Sequence, residues 1–412
     1  MLNLRLLKLS DPAIWISAGC LIIISFLGIF SSTFRLLTKA GLDPFLYVEK
    51  QFIALLFASV GLIIFSYFDY KHFKKAAPYL YGLTLLLLLL IIVTGSSALG
   101  AQRWLQLGPI QFQPSEMSKL TMIISLALFL SIFKRRKGLW EVGWLALLVG
   151  IPFLLVFKQP DLGTAIVYFA IFVGMLAGSG YSTRLLIILT TPILSILLRP
   201  VLYLWIAYLL ILALSLFLSR ATVWDWILIF GTNVLVGLAL PFIWGMLKGY
   251  QQQRIVAFIN PAADPYGAGY HSMQSKIAIG SGGFFGKGFL NGSQTQLQFI
   301  PEQHSDFIFS VVGEEFGFLG SIFALAMYAV FIYRALFLSL QAPDSFGRLL
   351  CIGIASMIMF HVLANVGMAL GILPVVGIPL PFMSFGGTSL LVNLCCVGIL
   401  QNIAMRRQKI IF

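Results

Sequence analysis

Long apolar runs, interrupted by short polar stretches, set the pattern of this sequence. A run of about 20 mostly apolar residues is long enough for an α-helix to cross the hydrocarbon core of a bilayer. The runs predict twelve spanning helices, at residues 13–34, 51–68, 78–94, 115–133, 140–157, 162–178, 185–198, 201–219, 226–247, 307–333, 349–373 and 386–404. We therefore expect an all-α, polytopic transmembrane helical bundle that forms one membrane domain over residues 1–412, with no soluble domain.

The composition agrees with a membrane protein and excludes an ordinary soluble one. Of the 412 residues, 59% are hydrophobic and only 10% are charged, whereas about a quarter of the residues in soluble domains carry charge. The first ten residues lack a cleavable signal, so the first apolar run is expected to be retained as a helix. The cysteines all lie inside apolar runs, without metal or disulfide spacing, and are expected to be packing residues. They are Cys20, Cys351, Cys395 and Cys396.

The net charge of +13 raises the question of a nucleic-acid partner, but the basic residues stand in short clusters between apolar runs. That distribution is typical of cytoplasmic loops, so no nucleic-acid binding is expected. With both termini cytoplasmic, most basic residues fall inside, and the long loop 249–306 falls outside. The inner residues are Arg5, Lys8, Lys71, Lys74, Lys75, Lys134, Arg135, Arg136, Lys137, Arg184, Arg220, Arg334, Arg348, Arg406, Arg407 and Lys409.

The region 185–219 allows two interpretations, because Arg199-Pro200 is either a tight turn between two short spans or a kink in one long helix. One long helix would move the loop 249–306 to the cytoplasm and spoil the charge bias downstream. We therefore predict an antiparallel helical hairpin at the periphery of the bundle. Its two ends, Arg184 and Arg220, should be cytoplasmic, with Arg199 at the outer surface.

On this topology the unusual polar residues gather on the outer side. Ionisable groups at membrane depth are costly, which makes each a candidate for a functional site. Glu116 and Lys119 lie three residues apart, so they share one face of the fourth helix and can pair. The pair either stabilises that helix or belongs to a site, and the spacing alone does not choose.

Further carboxylates lie around the start of the tenth helix. Asp306 either caps that helix or serves in a site, whereas Glu314 and Glu315 are better explained by bonds to backbone in a crowded helix interface. His304 is expected to be a hydrogen-bonding neighbour, because no second histidine lies nearby to share a metal ion. The glycine-rich run 280–288 resembles a phosphate cradle by composition. It lacks Walker-loop spacing, so a flexible or re-entrant loop is the simpler interpretation.

Four ordered motifs resemble the signatures of the SEDS family, named for shape, elongation, division and sporulation. They are Gln113-Pro-Ser-Glu116, Gln159-Pro-Asp-Leu-Gly-Thr164, Pro301-Glu-Gln-His-Ser-Asp-Phe-Ile-Phe309 and Pro379-Leu-Pro-Phe-Met-Ser-Phe-Gly-Gly387. The resemblance covers nearly the whole chain. Segments 264–270 and 274–283 are similar to the elongation members of the family rather than to its division members.

The resemblance implies a peptidoglycan glycosyltransferase that polymerises lipid II into glycan strands during cell elongation. It would work at the outer face of the bacterial cytoplasmic membrane, beside a class B penicillin-binding protein. Carried over by motif, Asp306 is the essential catalytic carboxylate, and Glu116 with Lys119 is an acidic–basic pair that supports the site. The outer-side residues expected to bind substrate are Arg103, Gln113, Asp161, Arg254, Lys276, Glu302 and His304.

The implied chemistry is displacement of a lipid diphosphate from a sugar C1 by the 4-hydroxyl of a second sugar. An α-linked donor and a β-linked product imply one inverting displacement, which suits a carboxylate base near the acceptor hydroxyl. The departing diphosphate needs cations, supplied by Arg103, Lys119, Arg254 or Lys276, or by a divalent ion such as Mg²⁺ or Mn²⁺. No other cofactor is expected, and the sequence identifies no metal ligands. Apolar furrows between helices would hold the polyprenyl tails among the membrane lipids.

The chain departs from the family in one respect, and two other functions compete. Family members have ten spans, so the hairpin 185–219 is an extra pair whose role the sequence does not indicate. A lipid II flippase would place ionisable residues through the midplane, often in paired repeats of interrupted helices, whereas the charges here lie on the outer rim. A scaffold that only positions the penicillin-binding protein would leave the rim carboxylates without a use. The enzyme is therefore the preferred hypothesis.

Overall fold

The computed structural model describes residues 8–94, 96–98, 101–107, 110–133, 139–159, 161–246, 249, 252–253, 256, 258, 268–300 and 302–407. The helices are α1 (Pro12–Lys39), α2 (Leu46–Tyr67), α3 (Lys71–Thr94), α4 (Pro114–Ile132), α5 (Leu139–Lys158), α6 (Leu162–Gly178), α7 (Thr183–Leu198), α8 (Leu202–Leu218), α9 (Val223–Asp225), α10 (Thr232–Met246), α11 (Ala268–Ser281), α12 (Ser293–Gln296), α13 (Ile308–Glu315), α14 (Gly317–Gln341), α15 (Ser345–Ala369) and α16 (Gly387–Met405). A π-helical turn, Trp226–Gly231, joins α9 to α10.

The predicted polytopic helical fold is confirmed. Within the described ranges, nine helices are long and apolar enough to cross a membrane, and α6, α7 and α8 are shorter apolar helices. All twelve predicted apolar runs coincide with helices, although the number that actually cross the bilayer stays a prediction. The basic residues Arg5, Lys134, Arg135, Arg136, Lys137 and Lys409 lie outside the described residues.

One detail of the sequence-based prediction is wrong. The tenth helix is not continuous over 307–333, because α13 ends at Glu315 and α14 begins at Gly317 with a backbone φ of +64°. That left-handed conformation is one that glycine adopts freely and that interrupts a right-handed helix. The segment before α4, which lies outside the predicted helices, forms the antiparallel strands β1 (Ser96–Ala98), β2 (Ala101–Leu107) and β3 (Ile110–Phe112), in that order.

Three helices, α4, α15 and α16, bury most of their surface. A helix that is apolar or small on every side is suited to such a central position. The peripheral helix α2 buries few side chains, as expected of a helix that faces lipid. Because the central helices are enclosed by protein, polar side chains on them can find partners there.

Residues Leu176–Val256 form a compact unit of their own. Within it, α7 and α8 are separate helices joined at Arg199–Val201. Tyr208 donates to the carbonyl of Thr191 (3.1 Å) and Trp205 donates to Ser195 (3.1 Å). In each bond the two partners lie about equally far from the turn, one before it and one after it, so the two helices run antiparallel. Membrane sidedness and the peripheral position of this hairpin stay predictions.

In the other unit, Met1–Met175 with Ala257–Phe412, a buried aspartate fastens three helices at the end where α1 begins. Asp11 caps α1 by accepting from the amide of Ala13 at 3.0 Å, and it accepts from Arg334 Nε on α14 at 2.9 Å. Its own amide and carbonyl exchange hydrogen bonds of 2.8 Å with the side chain of Gln401 on α16. One residue thus fixes the start of α1 against α14 and α16.

We expect Asp11→Ala to lower the free energy of unfolding by about 2 kcal/mol, because it removes a helix cap and leaves a partly buried arginine without its carboxylate. The melting temperature of the detergent-solubilised protein measures this loss. Asp43→Ala is the matched control, because Asp43 is exposed and bonds locally to the amide of Phe45. Equal melting temperatures for the two variants would contradict the prediction.

Candidate active site

The predicted pair of Glu116 and Lys119 exists and is buried. Pro114 opens α4 after Gln113, so the two ionisable residues lie in its first turns. Lys119 Nζ lies 2.7 Å from Glu116 Oε1, and the two side chains are only 3% and 5% exposed. A pair this enclosed is stable only when both charges keep their partners. It is therefore part of the protein interior and not a solvated helix-surface pair.

His361 on α15 completes this cluster. Its Nδ1 lies 2.8 Å from the carbonyl oxygen of Met357 and its Nε2 lies 3.0 Å from Lys119 Nζ. A carbonyl only accepts, so Nδ1 carries the proton and Nε2 accepts from the lysine. Lys119 thus donates to a carboxylate on one side and to a neutral imidazole on the other. Sequence reasoning missed His361, because it stands alone inside a long apolar run.

Gln113 and Asp161, both predicted to bind substrate, lie together. Asp161 Oδ2 accepts from Thr164 Oγ1 (2.9 Å), Ser115 Oγ (3.3 Å) and Gln113 Nε2 (3.3 Å). These bonds cap the start of α6 and tie it to the start of α4. Asp161 is buried, so its observed bonds are structural, and a contact with substrate stays a prediction.

Asp306 lies, half-buried, on a turn formed by residues 302–307, directly before α13. The N-cap residue of α13 is Phe307 rather than Asp306. Hydrogen bonds to main-chain carbonyls hold the turn: Ser384 Oγ donates to the carbonyl of Ser305 (2.6 Å), and the amide of Phe385 donates to the carbonyl of His304 (2.9 Å). The segment around the motif at 379–387 therefore supports the turn.

Asn365 on α15 makes a further link to this turn. Its side-chain amide donates to the carbonyl of Asp306 (2.8 Å) and to the carbonyl of Ile378 (2.8 Å). Asn365 lies four residues after His361, so the two side chains share one face of α15 about one turn apart. The helix thereby connects the Glu116–Lys119 pair to the Asp306 turn, and it brings the three predicted catalytic residues to one end of the bundle.

His304 and Glu302, predicted to bind substrate, lie on the same turn. The ring of His304 packs edge-on against Tyr47, with a centroid distance of 5.0 Å, and against Phe385, at 5.6 Å. Burial lowers the pKa of His304 by disfavouring the imidazolium, and the Glu302 carboxylate at 3.8 Å opposes that shift only in part. The ring is thus neutral at neutral pH. Glu302 itself is exposed, with a backbone φ of +47°.

Lys276 is the predicted substrate-binding cation that the structure describes in full. It is exposed on α11, and its side chain extends over Gly371, where any Cβ would overlap it. Ser275, beside it, bonds to Ser310 Oγ (2.6 Å) and to the carbonyl of Ala369 (2.6 Å), which fastens α11 to α13 and to the end of α15. Arg254 and the side chain of Arg103 lie outside the described residues.

Glu314 and Glu315 are structural, as expected. Glu314 accepts from the amides of Gln294 (2.8 Å) and Thr295 (2.9 Å) and from Lys287 Nζ (2.8 Å), and Glu315 accepts from Ser31 Oγ. The glycine-rich run is not a phosphate cradle. Its amides at Lys287 and Gly288 donate to the carbonyls of Glu314 and Glu315, both at 3.0 Å, so the loop wraps the break between α13 and α14.

These features define a multi-pass membrane protein with a polar site. The bundle is apolar, and at one end it holds a buried ion pair and a turn that carries the half-buried Asp306. The chain belongs to the family of cell cycle proteins that comprises FtsW, RodA and SpoVE, whose model matches residues 12–208 and 186–409. The two matched segments overlap within α7 and α8. The predicted family membership is confirmed.

Curated relatives and solved structures agree with this assignment. The chain is 36% identical to the peptidoglycan glycosyltransferase MrdB of Escherichia coli K12 over 88% of this chain and 87% of that protein. It is 33% identical to the peptidoglycan glycosyltransferase RodA of Treponema pallidum, over 87% and 89%. A chain of a peptidoglycan synthase complex superposes with a TM-score of 0.70 at 28% identity, over 97% of this chain and 99% of that one. Thermus thermophilus RodA superposes with a TM-score of 0.64 at 25% identity, over 97% and 98%.

Proposed function

We propose that this protein polymerises lipid II into glycan strands at the outer face of the bacterial cytoplasmic membrane during cell elongation, with Asp306 as the base. It is a peptidoglycan glycosyltransferase rather than a flippase, in keeping with relatives that carry that activity in their names. The observation that carries the proposed site is the Asp306 turn, which α15 links to the buried Glu116–Lys119 pair. A carboxylate on a braced turn beside a buried charge pair suits general base catalysis.

In the proposed reaction the acceptor sugar presents its 4-hydroxyl to the Asp306 carboxylate, which takes the proton. The hydroxyl oxygen forms the bond to C1 of the donor sugar as the bond from C1 to the lipid diphosphate breaks. One displacement inverts the anomeric centre from α to β. General base catalysis of this kind contributes typically 10²–10⁴-fold to the rate.

The leaving diphosphate gains negative charge and needs a cation. Lys276 suits this role better than Lys119, because Lys276 is exposed whereas Lys119 is buried and already bonded to Glu116 and His361. Lys119 then acts indirectly, by holding Glu116 and His361 in place. Arg103 and Arg254 are further candidates. Gln113, Asp161, Glu302 and His304 complete the proposed substrate-binding set.

A divalent cation such as Mg²⁺ or Mn²⁺ is a further proposed component. Within the described ranges, no three His, Cys, Asp or Glu side chains group together to hold a metal ion. That fits an ion held chiefly by the diphosphate, since Mg²⁺ is usually bound through one or two carboxylates together with substrate phosphates. Glu302 and Asp306, on one turn, are the carboxylates proposed to face it, and the ion would supply charge neutralisation at the leaving group.

We propose a class B penicillin-binding protein, a transpeptidase, as the partner, and cytoplasmic N- and C-termini. The superposed chain of a peptidoglycan synthase complex, in which polymerisation and crosslinking are coordinated, supports a transpeptidase partner. The positive-inside distribution of Lys and Arg supports the orientation. The apolar, nearly uncharged hairpin of α7 and α8 suits lipid on one side and a membrane helix of the partner on the other.

The test is polymerisation of fluorescent lipid II by the purified protein in vesicles. We expect glycan chains of many disaccharides on a gel, with fewer of them after chelation by EDTA if the divalent ion takes part. The same vesicles, assayed for transfer of lipid II between leaflets, separate the alternatives. Transfer without polymer would indicate a flippase. Neither activity, with normal binding to the transpeptidase, would indicate a scaffold.

A further inference from the structure

Asn365 is a buried polar residue on a central helix that sequence reasoning did not single out. It is fully buried on α15, and both of its hydrogen-bonding distances of 2.8 Å come from the side-chain nitrogen, to the carbonyls of Asp306 and Ile378. An amide group has two N–H donors, so both are used. The side chain thus joins two segments that are distant in the sequence, the Asp306 turn and the segment before Leu380.

The carbonyl that Asn365 holds belongs to Asp306 itself. Fixing that oxygen fixes the peptide plane after the residue and so limits where its Cα and carboxylate can lie. The two preceding residues of the turn are held by Ser384 and Phe385 through the carbonyls of Ser305 and His304. Three successive carbonyls are therefore held from outside the turn, and only the bond to Asp306 comes from a helix.

The same helix face carries the contact to the buried ion pair. His361 accepts from Lys119, and Asn365 follows one turn later. Residues four apart on a helix keep a fixed spacing as long as the helix is intact. Any shift of α15 would therefore move the partner of Lys119 and the support of Asp306 together.

We propose that Asn365 is a positioning residue that sets the reactive orientation of the Asp306 carboxylate and couples it, through α15 and His361, to the Glu116–Lys119 pair. The inference rests on the proposed role of Asp306 as the base. Small errors in the placement of a catalytic group lower the turnover rate more than they weaken binding of substrate. Asn365 should accordingly affect kcat more than KM.

The test measures initial rates of lipid II polymerisation in vesicles for Asn365→Ala, over a range of lipid II concentrations. We expect kcat to fall about 10- to 100-fold with KM changed less than about threefold. Asn393→Ala is the matched control, since Asn393 is a buried asparagine of α16 whose side chain bonds to Ser389 in its own helix. It should keep kcat within about threefold of the wild type, because it removes a buried asparagine side chain without touching the Asp306 turn.

A second variant separates positioning from simple damage to the fold. In Asn365→Asp the side chain has nearly the same shape, and its protonated form keeps one donor, whereas its ionised form keeps none. The ratio of its kcat to that of the wild type should therefore fall as pH rises, within a pH range over which the melting temperature of the variant stays constant; a structural defect would lower both together. A kcat for Asn365→Ala within threefold of the wild type, or a flat pH ratio for Asn365→Asp, would overturn the inference. Full activity of Asp306→Asn would instead overturn the proposed function.

Discussion

Replacing Asp306 by Asn is expected to abolish polymerisation, with a loss of at least about 10²–10⁴-fold in turnover. Asparagine has the shape of aspartate but cannot accept the proton of the acceptor hydroxyl. The turn should remain intact, because the hydrogen bonds to the main-chain carbonyls of residues 304–306 do not depend on the charge of the side chain. The measurement is the rate of glycan formation by the reconstituted variant.

The control for this change is Asp43→Asn, at an exposed aspartate in the loop between α1 and α2. It should polymerise lipid II at the wild-type rate. Copurification of the Asp306 variant with the transpeptidase, and an unchanged melting temperature, would show that the loss is chemical. Wild-type glycan synthesis by Asp306→Asn would remove Asp306 from the role of base.

The second large effect is expected at the buried ion pair. Lys119→Met or Glu116→Gln leaves one charge without its partner in the interior, and such changes cost about 3–5 kcal/mol. We expect a lower melting temperature together with loss of activity, since the same charges hold His361 on α15. Lys287→Met provides the comparison: that lysine is partly exposed, and Glu314 keeps its bonds to Gln294 and Thr295.

A charge-swapped double variant, Glu116→Lys with Lys119→Glu, refines this prediction. Its opposite charges can pair again, so part of the stability and activity should return. The recovery should be incomplete, because a carboxylate at the second position would face the accepting nitrogen of His361 instead of donating to it. If each single variant were as stable and active as the wild type, the pair would contribute nothing to the site.

Much of the fold could be predicted because the membrane constrains it so strongly. Every predicted apolar run is helical, with the run 307–333 divided between α13 and α14, because backbone groups within lipid must form their hydrogen bonds inside their own segment. The break at Gly317 was not predicted: Glu314 and Glu315 interrupt the apolar run there, but the contact with the loop at 280–288 that stabilises the break forms only on folding. The strands β1–β3 are short and adjoin a span, where hydropathy carries little information about local structure.

The charged part of the candidate site could be predicted from the sequence. Glu116 and Lys119 stood out because their spacing places two charges on one helix face. His361 and Asn365 did not, because each is a single polar residue within the apolar run of α15, where the simplest expectation is packing. Their importance follows from contacts with residues more than 50 positions away, and a single sequence carries no signal for such contacts.

At the break between α13 and α14, Gly286 and Gly317 pack against each other, so both must lack a side chain for the same contact to form. A Cβ on Gly317 would collide with the backbone of Gly286, and a Cβ on Gly286 would collide with the backbone of Glu315 and Gly317. Both also have positive φ angles, so alanine is strained at either position even where space could be made. Once one of them is replaced and the loop is forced away from the helix, replacing the other removes little more. Their effects are therefore expected to be far from additive, so a mutation scan that treated them as independent would count the same structural loss twice.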